Sequence, residues 1–194
     1  GNTGALMGTY REFTVDTGAP DAPVIVVPTE GSFTGTNVPT IAGTAAGEDG
    51  GVVWLWSGGT IFGSGTVSGG AWSFTPFAAL ADQTYSITGA TVDLAGNTGA
   101  VTGVRVFTVD TVDPVGPTIV VPVDGEYVGT GYVVFGGTGT SGESGSTVEI
   151  YSGVTLLGSG EIDENGDWTF TVGAPLSDGV YTVSGRTIDQ ALNV

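Results

Sequence analysis

The residues of this 194-residue chain with the clearest potential for chemistry are aspartates and asparagines that recur at matched positions. Asp93 and Asp189 are each followed, four residues later, by an asparagine, Asn97 and Asn193. Converging carboxylate, amide and backbone oxygens suit Ca²⁺, which takes six to eight hard oxygen ligands. The same residue types also cap turns by accepting hydrogen bonds from backbone N–H groups, without a metal. Both interpretations follow from the residue types alone.

The composition narrows the available chemistry. The chain has no Cys, no His and only three cationic side chains, Arg11, Arg105 and Arg186. It therefore has no thiolate or histidine metal ligands, no Ser-His-Asp triad and no Schiff-base lysine. A formal net charge of −17 repels nucleic acid and anionic membrane surfaces, so neither is an expected partner. Because the sequence has no long apolar run, we also expect no membrane insertion.

An internal repeat of about 95 residues organises the chain. The phrase GNTGA at residues 1–5 returns at residues 96–100. Likewise, FTVDT at residues 13–17 returns at residues 107–111. Further matches of this kind cover almost the whole chain, so we interpret it as successive repeats of one unit.

Each repeat is predicted to be a row of short β-strands. Alternating apolar and polar residues with turn residues between them indicate strands, and no helical periodicity is sustained over about ten residues. In the second repeat, Asn165-Gly166 is typical of a hairpin turn, which requires positive φ. The strands predicted for that repeat are Thr118–Val121, Tyr132–Thr138, Thr147–Ser152, Thr155–Ile162, Asp167–Val172 and Gly179–Asp189.

Matched aromatic residues specify the sandwich type. Tyr85 and Tyr181 each follow a Leu and an Asp at the start of a long late strand, as in the tyrosine corner of immunoglobulin-like sandwiches. Trp72 and Trp168 occupy equivalent strand positions, where we expect core side chains. The pattern predicts an all-β chain of two tandem immunoglobulin-like Greek-key β-sandwiches.

The motifs FTVDT, G-x-W-x-F-T, L-x-D-x-x-Y and D-x-A-G-N together resemble the tandem bacterial Ig-like repeats of large surface adhesins and biofilm proteins. In that family many such domains form an extended stalk outside the cell. The resemblance implies an extracellular, cell-surface location. The first repeat departs from the family at Gln83, where Gly is usual, and the second reads DQALN at residues 189–193 where D-x-A-G-N is usual.

The order of the strands predicts where the domains begin and end. FTVDT closes a repeat, so residues 1–17 are expected to be the last strand of a preceding or neighbouring-molecule domain. Residues 18–111 (the first repeat) are then a complete domain, and residues 112–194 (the second repeat) a domain that lacks its final strand. An open edge and exposed core are costly, so we expect that strand position to be filled. Either the sequence is a window of a longer array, or a strand of one molecule completes the next by strand addition, as in donor strand complementation.

The resemblance also implies calcium at the domain junctions, where it stiffens the stalk. The candidate ligands lie at the ends of the last strands, in the second linker and in the turn before the last strand. They are Asp16, Asp93, Asn97, Asp110, Asp113 and Asp189. Turn capping without a metal stays the alternative for each of them, and residues 163–167 (DENGD) are expected to be a plain hairpin.

Trp54 and Trp56 form a second candidate site. They alternate with Val53 and Leu55 in one predicted strand, and Glu149 takes the position of Trp54 in the second repeat. Because a glutamate is expected to face solvent, the two indoles are predicted on the outer face. Exposed indoles stack on sugar rings or pack against a neighbouring chain. Neighbouring Gly and Ser offer little to sugar hydroxyls, which favours a protein or lateral filament contact, and an ordinary half-covered aromatic pair is equally open.

We expect the chain to be an extracellular structural segment, either the stalk of a cell-surface adhesin or the repeating body of a filament. The expected partners are adjacent repeats or further copies of the chain, joined head-to-tail, and a host or matrix glycan or protein. The alternative is a carbohydrate- or protein-binding surface module that uses Trp54 and Trp56. Paired carboxylates can serve a glycosidase, but tandem repetition adds length without distinct active sites, so we expect no enzyme.

Overall fold

A computed structural model of the protein describes Gly8 and residues 11–194. The remainder of the predicted N-terminal strand, including GNTGA, lies outside the described residues, and residues 11–17 form no strand. The strands are β1 (Val24–Val27), β2 (Ser32–Thr34), β3 (Ile41–Thr44), β4 (Val52–Ser57), β5 (Thr60–Thr66), β6 (Ala71–Phe74), β7 (Gln83–Val92), β8 (Arg105–Val109), β9 (Thr118–Val121), β10 (Val134–Thr138), β11 (Thr147–Ser152), β12 (Thr155–Glu161), β13 (Asp167–Thr171) and β14 (Val183–Ile188).

The all-β fold class is confirmed, since a 3-10 turn at Ser141–Glu143 is the only helical element in the described residues. The strands form four sheets, ordered β1-β3-β6, β2-β8-β7-β4-β5, β9-β10-β13 and β12-β11-β14. The same sheet order is used in both repeats, except that β2 and β8 have no counterpart among the described strands of the second. The β2–β8 pair is parallel, whereas the other registered pairs are antiparallel.

Two compact units describe the packing of the chain, and they do not follow the sequence repeats. The domain boundaries predicted after residues 17 and 111 are not decided by these units or by the sheets, and they stay predictions. Unit 1 consists of Gly1–Pro28, Thr40–Thr75 and Ser86–Arg105, and unit 2 of Thr29–Pro39, Pro76–Tyr85 and Val106–Val194.

In unit 1, alternating side chains of the strands form an apolar core. Ile41, Leu55 and Ile87 are fully buried, and Trp72 of β6 is buried as predicted. The backbone carbonyl of Val24 comes so close to Gly43 that a Cβ atom there would collide with it. Glycine in the middle of β3 therefore lets β1 pair closely with it.

Unit 2 repeats this arrangement with Trp168 at the centre. Trp168 is buried, as predicted, among side chains from β10, β11 and the segments after β12 and β13. Replacing a buried Trp by Ala typically costs ~3–5 kcal/mol, so this ring is a major contributor to the core. Gly137 of β10 repeats the role of Gly43, because a Cβ atom there would collide with the carbonyl of Thr118. The core residues of unit 2 are Val133, Phe135, Val148, Ile150, Ile162, Trp168 and Val172.

The predicted hairpin turn between β12 and β13 is confirmed. Gly166 has a φ of +87°, and the carboxylate of Asp163 accepts hydrogen bonds from the backbone N–H groups of Asn165 and Asp167 at 2.8 and 2.9 Å. These N–H donors hold the pKa of Asp163 below its ordinary value. Hydrogen bonds from backbone N–H groups to Asp163 therefore cap the turn.

The departure from D-x-A-G-N leaves one residue in a strained backbone conformation. Leu192 has a φ of +71°, and it takes the place of Gly96, whose φ is +89°. The backbone N–H of each donates to the carbonyl of the aspartate that begins its turn. The turn therefore keeps its shape in the second repeat although the side chain there disfavours it.

Replacing Leu192 by Gly is expected to raise the free energy of unfolding by ~0.5–1 kcal/mol. Relief of the left-handed strain, ~1–2 kcal/mol, exceeds the extra backbone entropy of glycine in the unfolded chain. The matched reverse change, Gly96→Leu, is expected to lower it by a similar amount, since open space surrounds Gly96. Urea unfolding of both variants measures the effect, and equal stability of L192G and the parent chain would contradict it.

Candidate functional site

The turn between β7 and β8 joins two of the predicted site residues. Asp93 accepts hydrogen bonds from the backbone N–H and the side-chain Nδ2 of Asn97, both at 2.8 Å. The Asn97 side chain is the main cause that holds the pKa of Asp93 below its ordinary value; burial opposes it, and the backbone N–H groups of the turn add to it. The Asn97 Nδ2 also donates to the backbone carbonyl of Asp16 at 3.1 Å. This amide therefore ties the turn to the end of the FTVD segment that precedes the repeat.

The same three hydrogen bonds recur in unit 2. Asp189 accepts from the backbone N–H and the Nδ2 of Asn193 at 2.8 Å, and this Nδ2 donates to the carbonyl of Asp110 at 2.9 Å. Asp110 ends the second FTVD segment, as Asp16 ends the first. We call each set, Asp93–Asn97–Asp16 and Asp189–Asn193–Asp110, a junction clamp.

The remaining candidate metal ligands are Asp16, Asp110 and Asp113, and the carboxylates of the first two bond outside the clamps. The Asp16 carboxylate accepts from the N–H of Gly18 at 2.9 Å, and the Asp110 carboxylate accepts from the N–H of Val112 at 3.2 Å. Asp113 is exposed. Across Gly8 and residues 11–194, no three acidic side chains gather closely enough to hold a metal. The donor set fits turn capping, and its carboxylates do not form an oxygen cage for Ca²⁺ in the described residues.

Calcium at the junctions stays a prediction. If Ca²⁺ binds at the junctions, the melting temperature of the chain is expected to rise when Ca²⁺ replaces EDTA, because a ligand that binds only the folded chain stabilises the folded state. Asp93→Asn is expected to reduce that rise, whereas Asp163→Asn, which alters a hairpin cap away from the junctions, is not. Equal melting temperatures in Ca²⁺ and EDTA, measured by calorimetry, would contradict calcium binding.

The outer face of β4 carries the two predicted aromatic residues. Val53 and Leu55 are fully buried, while Trp54 has 36% of its surface exposed and Trp56 is half-buried. The predicted alternation is therefore present. Trp56 also lines an apolar depression of about 420 Å³ in unit 1, together with Gly58, Gly59, Ser86, Thr88, Val101 and Val104.

In unit 2 the corresponding face of β11 carries an ionic network. Glu149 accepts hydrogen bonds from the Tyr151 hydroxyl at 2.7 Å and from the Arg186 Nε at 2.8 Å. The Arg186 guanidinium also lies 5.3 Å from the centroid of the Tyr151 ring. Tyr151 and then Arg186 hold the pKa of Glu149 below its usual range. The two repeats thus use the same face differently, and the indole pair is particular to the first.

The sheet β12-β11-β14 of unit 2 differs from its counterpart in the first repeat. In the first repeat, β8 lies between β2 and β7, where Phe107 is fully buried and stacks on Tyr85 with ring centroids 5.5 Å apart. No described strand occupies the equivalent position beside β14. Tyr181, the counterpart of Tyr85, is 41% exposed, compared with 9% for Tyr85.

The tyrosine corner predicted from the sequence is nevertheless present in both repeats. The hydroxyl of Tyr85 donates to the carbonyl of Ala81 at 3.1 Å, and that of Tyr181 donates to the carbonyl of Ser177 at 3.0 Å. Tyr181 also lines a cleft of about 1010 Å³ in unit 2. Side chains at the margin of the core contribute to its lining, among them Ile119, Val133, Phe135, Leu176, Tyr181 and Val183.

With the strand order and the tyrosine corners established, the chain can be compared with known proteins. A family model described as a bacterial Ig-like domain matches residues 25–111. The resemblance to bacterial Ig-like domains drawn from the motifs is thereby confirmed for this part of the chain, which contains Trp54, Trp56 and the first junction turn. No curated protein sequence matches the chain.

Solved structures agree with this assignment at the level of fold. The chain is similar to the fibronectin(III)-like modules of CbhA from Clostridium thermocellum, with 18% identity and a TM-score of 0.57 over 88% of this chain and 87% of that one. It is also similar to the human OSCAR ligand-binding domain (17% identity, TM-score 0.39, 86% of this chain and 96% of that one). A third similar structure is the ICAM-5 D1–D4 ectodomain fragment (13%, 0.38, 88% and 54%). At 18% identity, the first of these similarities concerns the fold alone.

The described residues contain no helix with the length and apolar character that a membrane span requires.

Proposed function

We propose that this chain is an extracellular structural repeat of a bacterial surface adhesin stalk or filament. Its repeats extend head-to-tail, and the final strand of a terminal domain is supplied by the next or the previous copy. The role is mechanical and non-catalytic, because tandem copies add length without requiring separate active sites. The acidic surface, with a formal net charge of −17, suits a soluble array in a salty extracellular medium.

The junction clamp is the observation that carries the proposal. The Asn97 amide binds the carbonyl of Asp16, and the Asn193 amide binds the carbonyl of Asp110 in the same way. In each case the late turn of one repeat holds the end of the FTVD segment before it. A contact that recurs once per repeat can be propagated along an array of any length.

Further close packing accompanies each clamp. A Cβ atom at Gly35 would lie 2.8 Å from the carbonyl of Ala191 and from the Asn193 side chain, and one at Gly99 would lie 2.3 Å from the carbonyl of Pro20. Both positions therefore require glycine or a shift of the neighbouring backbone. Such tight contacts favour a defined geometry at the junction over a flexible tether.

Proteins that carry one, two or three tandem copies of the 194-residue sequence test the stalk. Their maximum dimension in small-angle X-ray scattering is expected to rise in proportion to the number of copies, because each added junction is held by a clamp. Asn97→Ala with Asn193→Ala is expected to shorten the longest protein by loosening the junctions, whereas Asn165→Ala, in a hairpin turn, is a control that leaves its length unchanged.

A maximum dimension that grows only with the cube root of the number of copies would contradict an extended stalk.

The extracellular location of the chain is tested separately, since antibodies against the chain are expected to label intact cells of the source bacterium. Labelling that requires permeabilised cells would contradict an extracellular role.

Ligand binding through Trp54 and Trp56 is the second candidate function. It is favoured by the depression beside Trp56, since the second repeat fills the same face with the Glu149–Tyr151–Arg186 network. Indole faces stack on sugar rings and pack against apolar protein surfaces. The partner would be a host or matrix glycan or protein.

Titration of the chain with a broad panel of oligosaccharides tests the glycan form of this candidate. A ligand is expected to shift the tryptophan emission, and Trp54→Ala is expected to abolish the shift because it removes an exposed ring. Tyr151→Ala, at the position equivalent to Trp56, is the matched control and is expected to leave the shift unchanged. No shift with any member of the panel would contradict glycan binding.

A further inference from the structure

Strand pairing sets which side chains share the outer face of β4 with the two indoles. Trp56 lies opposite Ile61 of β5 on one side and opposite Thr88 of β7 on the other. Directly opposite residues of paired strands point to the same face of a sheet. Ile61 is 67% exposed, so it projects from the surface beside Trp56. We call the surface formed by Trp54, Trp56, Ile61 and the depression beside Trp56 the indole face.

The depression lies on the other side of Trp56 from Ile61. Besides Trp56 and the turn between β4 and β5, residues of β7 and of the loop before β8 line it. Val101 and Val104 of that loop are each 61% exposed. The polar side chains in the lining are one serine and one threonine. The indole face therefore has a protruding apolar side chain on one side of Trp56 and an apolar depression on the other.

The strands that form the indole face carry no formal charge. β4, β5 and β7 contain no Asp, Glu, Lys or Arg, although the chain as a whole has a formal net charge of −17. Their counterparts in the second repeat, β11, β12 and β14, carry Glu149, Glu161 and Arg186. Because like charges repel, an uncharged face is where two copies of so acidic a chain meet with the least electrostatic repulsion.

We propose that the indole faces of two copies of the chain pack against each other about a two-fold axis. Both copies use the same surface in a two-fold interface, so that surface must be complementary to itself. Ile61 of each copy enters the depression beside Trp56 of the other, and the indoles are buried between them. This inference rests on the second candidate function, for which it names the partner as a second copy of the chain.

The shape and the charge of the indole face both favour a second copy over a glycan or a basic protein. A glycan brings hydroxyl groups that need hydrogen-bond partners when they are buried, whereas an isoleucine side chain needs none. A basic protein is attracted to the acidic surfaces of the chain and not to an uncharged face. Tryptophan side chains are also typical of the centre of protein interfaces.

A charged side chain in place of Ile61 tests the contact. Ile61→Glu is expected to weaken self-association by about tenfold or more, because each copy would bury a carboxylate in an apolar depression. Leu156→Glu is the matched control, since Leu156 lies opposite Tyr151 in the second repeat, is 48% exposed and gains the same charge. It is expected to leave association unchanged. Sedimentation velocity over a range of protein concentrations measures both variants and the parent chain.

Cysteine pairing tests the two-fold geometry, because the chain has no cysteine of its own. Equimolar Ile61→Cys and Val104→Cys proteins, one of them with a size tag, are mixed under mild oxidation. A mixed-disulfide dimer is expected on non-reducing gels, since Ile61 of one copy lies against Val104 of the other and disulfides require such close approach. Leu156→Cys with Val104→Cys is the matched control and is expected to form no mixed disulfide.

The salt dependence of association tests the electrostatic argument. The association constant is expected to rise about tenfold between about 0.1 and 1 M NaCl, because the Debye length falls from ~10 to ~3 Å and the repulsion between the two acidic copies is screened. Association that weakens with salt would show that oppositely charged surfaces meet, and it would overturn the indole face as the contact.

The remaining outcomes separate this inference from the proposed functions. A chain that stays monomeric, or association that Ile61→Glu leaves unchanged, overturns the pairing of indole faces. Associated chains that form no Ile61–Val104 mixed disulfide overturn the two-fold arrangement. An oligosaccharide that shifts the tryptophan emission of a monomeric chain also overturns the pairing, and it supports the glycan form of the second candidate function. The stalk is tested independently by the scattering of the tandem proteins, since Ile61→Glu does not change the junction clamps.

Discussion

The structure of each repeat depends on whether a strand occupies the position beside the tyrosine corner. In the first repeat, Phe107 stacks on Tyr85, and β8 pairs on both sides, with β2 and β7. β7 is then ten residues long, and Ser32–Thr34 becomes a strand. In the second repeat β14 has only six residues, and the segment equivalent to β2 is irregular. One strand thus organises its neighbours on both sides, because backbone N–H and C=O groups form a ladder only when a partner is present.

The junction clamps combine short-range and long-range hydrogen bonds along the sequence. Each is built from an aspartate and an asparagine four residues apart, so most of its hydrogen bonds are local to one turn. The single longer-range bond, from the asparagine amide to the carbonyl that ends an FTVD segment, links that turn to a residue more than 80 positions earlier. N–H donors satisfy the carboxylates of Asp93 and Asp189, which gives both residues a structural role in the fold.

Some features of the candidate sites could be predicted from the sequence, and others could not. The burial of Val53 and Leu55 and the outward position of Trp54 follow from strand alternation, and Glu149 in the second repeat marked the outer face correctly. The network of Glu149, Tyr151 and Arg186 was not predicted, because Arg186 lies on β14 and meets Glu149 only through strand pairing. The positive φ of Leu192 was not predicted, although its place in DQALN, where the D-x-A-G-N form has Gly, was an available signal.

By itself the sequence determined the strand pattern, the repeat, the tyrosine corners and the buried tryptophans, because period-2 alternation and turn residues act over short distances along the chain. Only the tertiary structure decided where β14 begins, which acids approach one another, and how far Tyr181 is exposed. These features depend on partners distant in sequence. The N–H donors that bind Asp93 and Asp189 could likewise be located only in the folded chain.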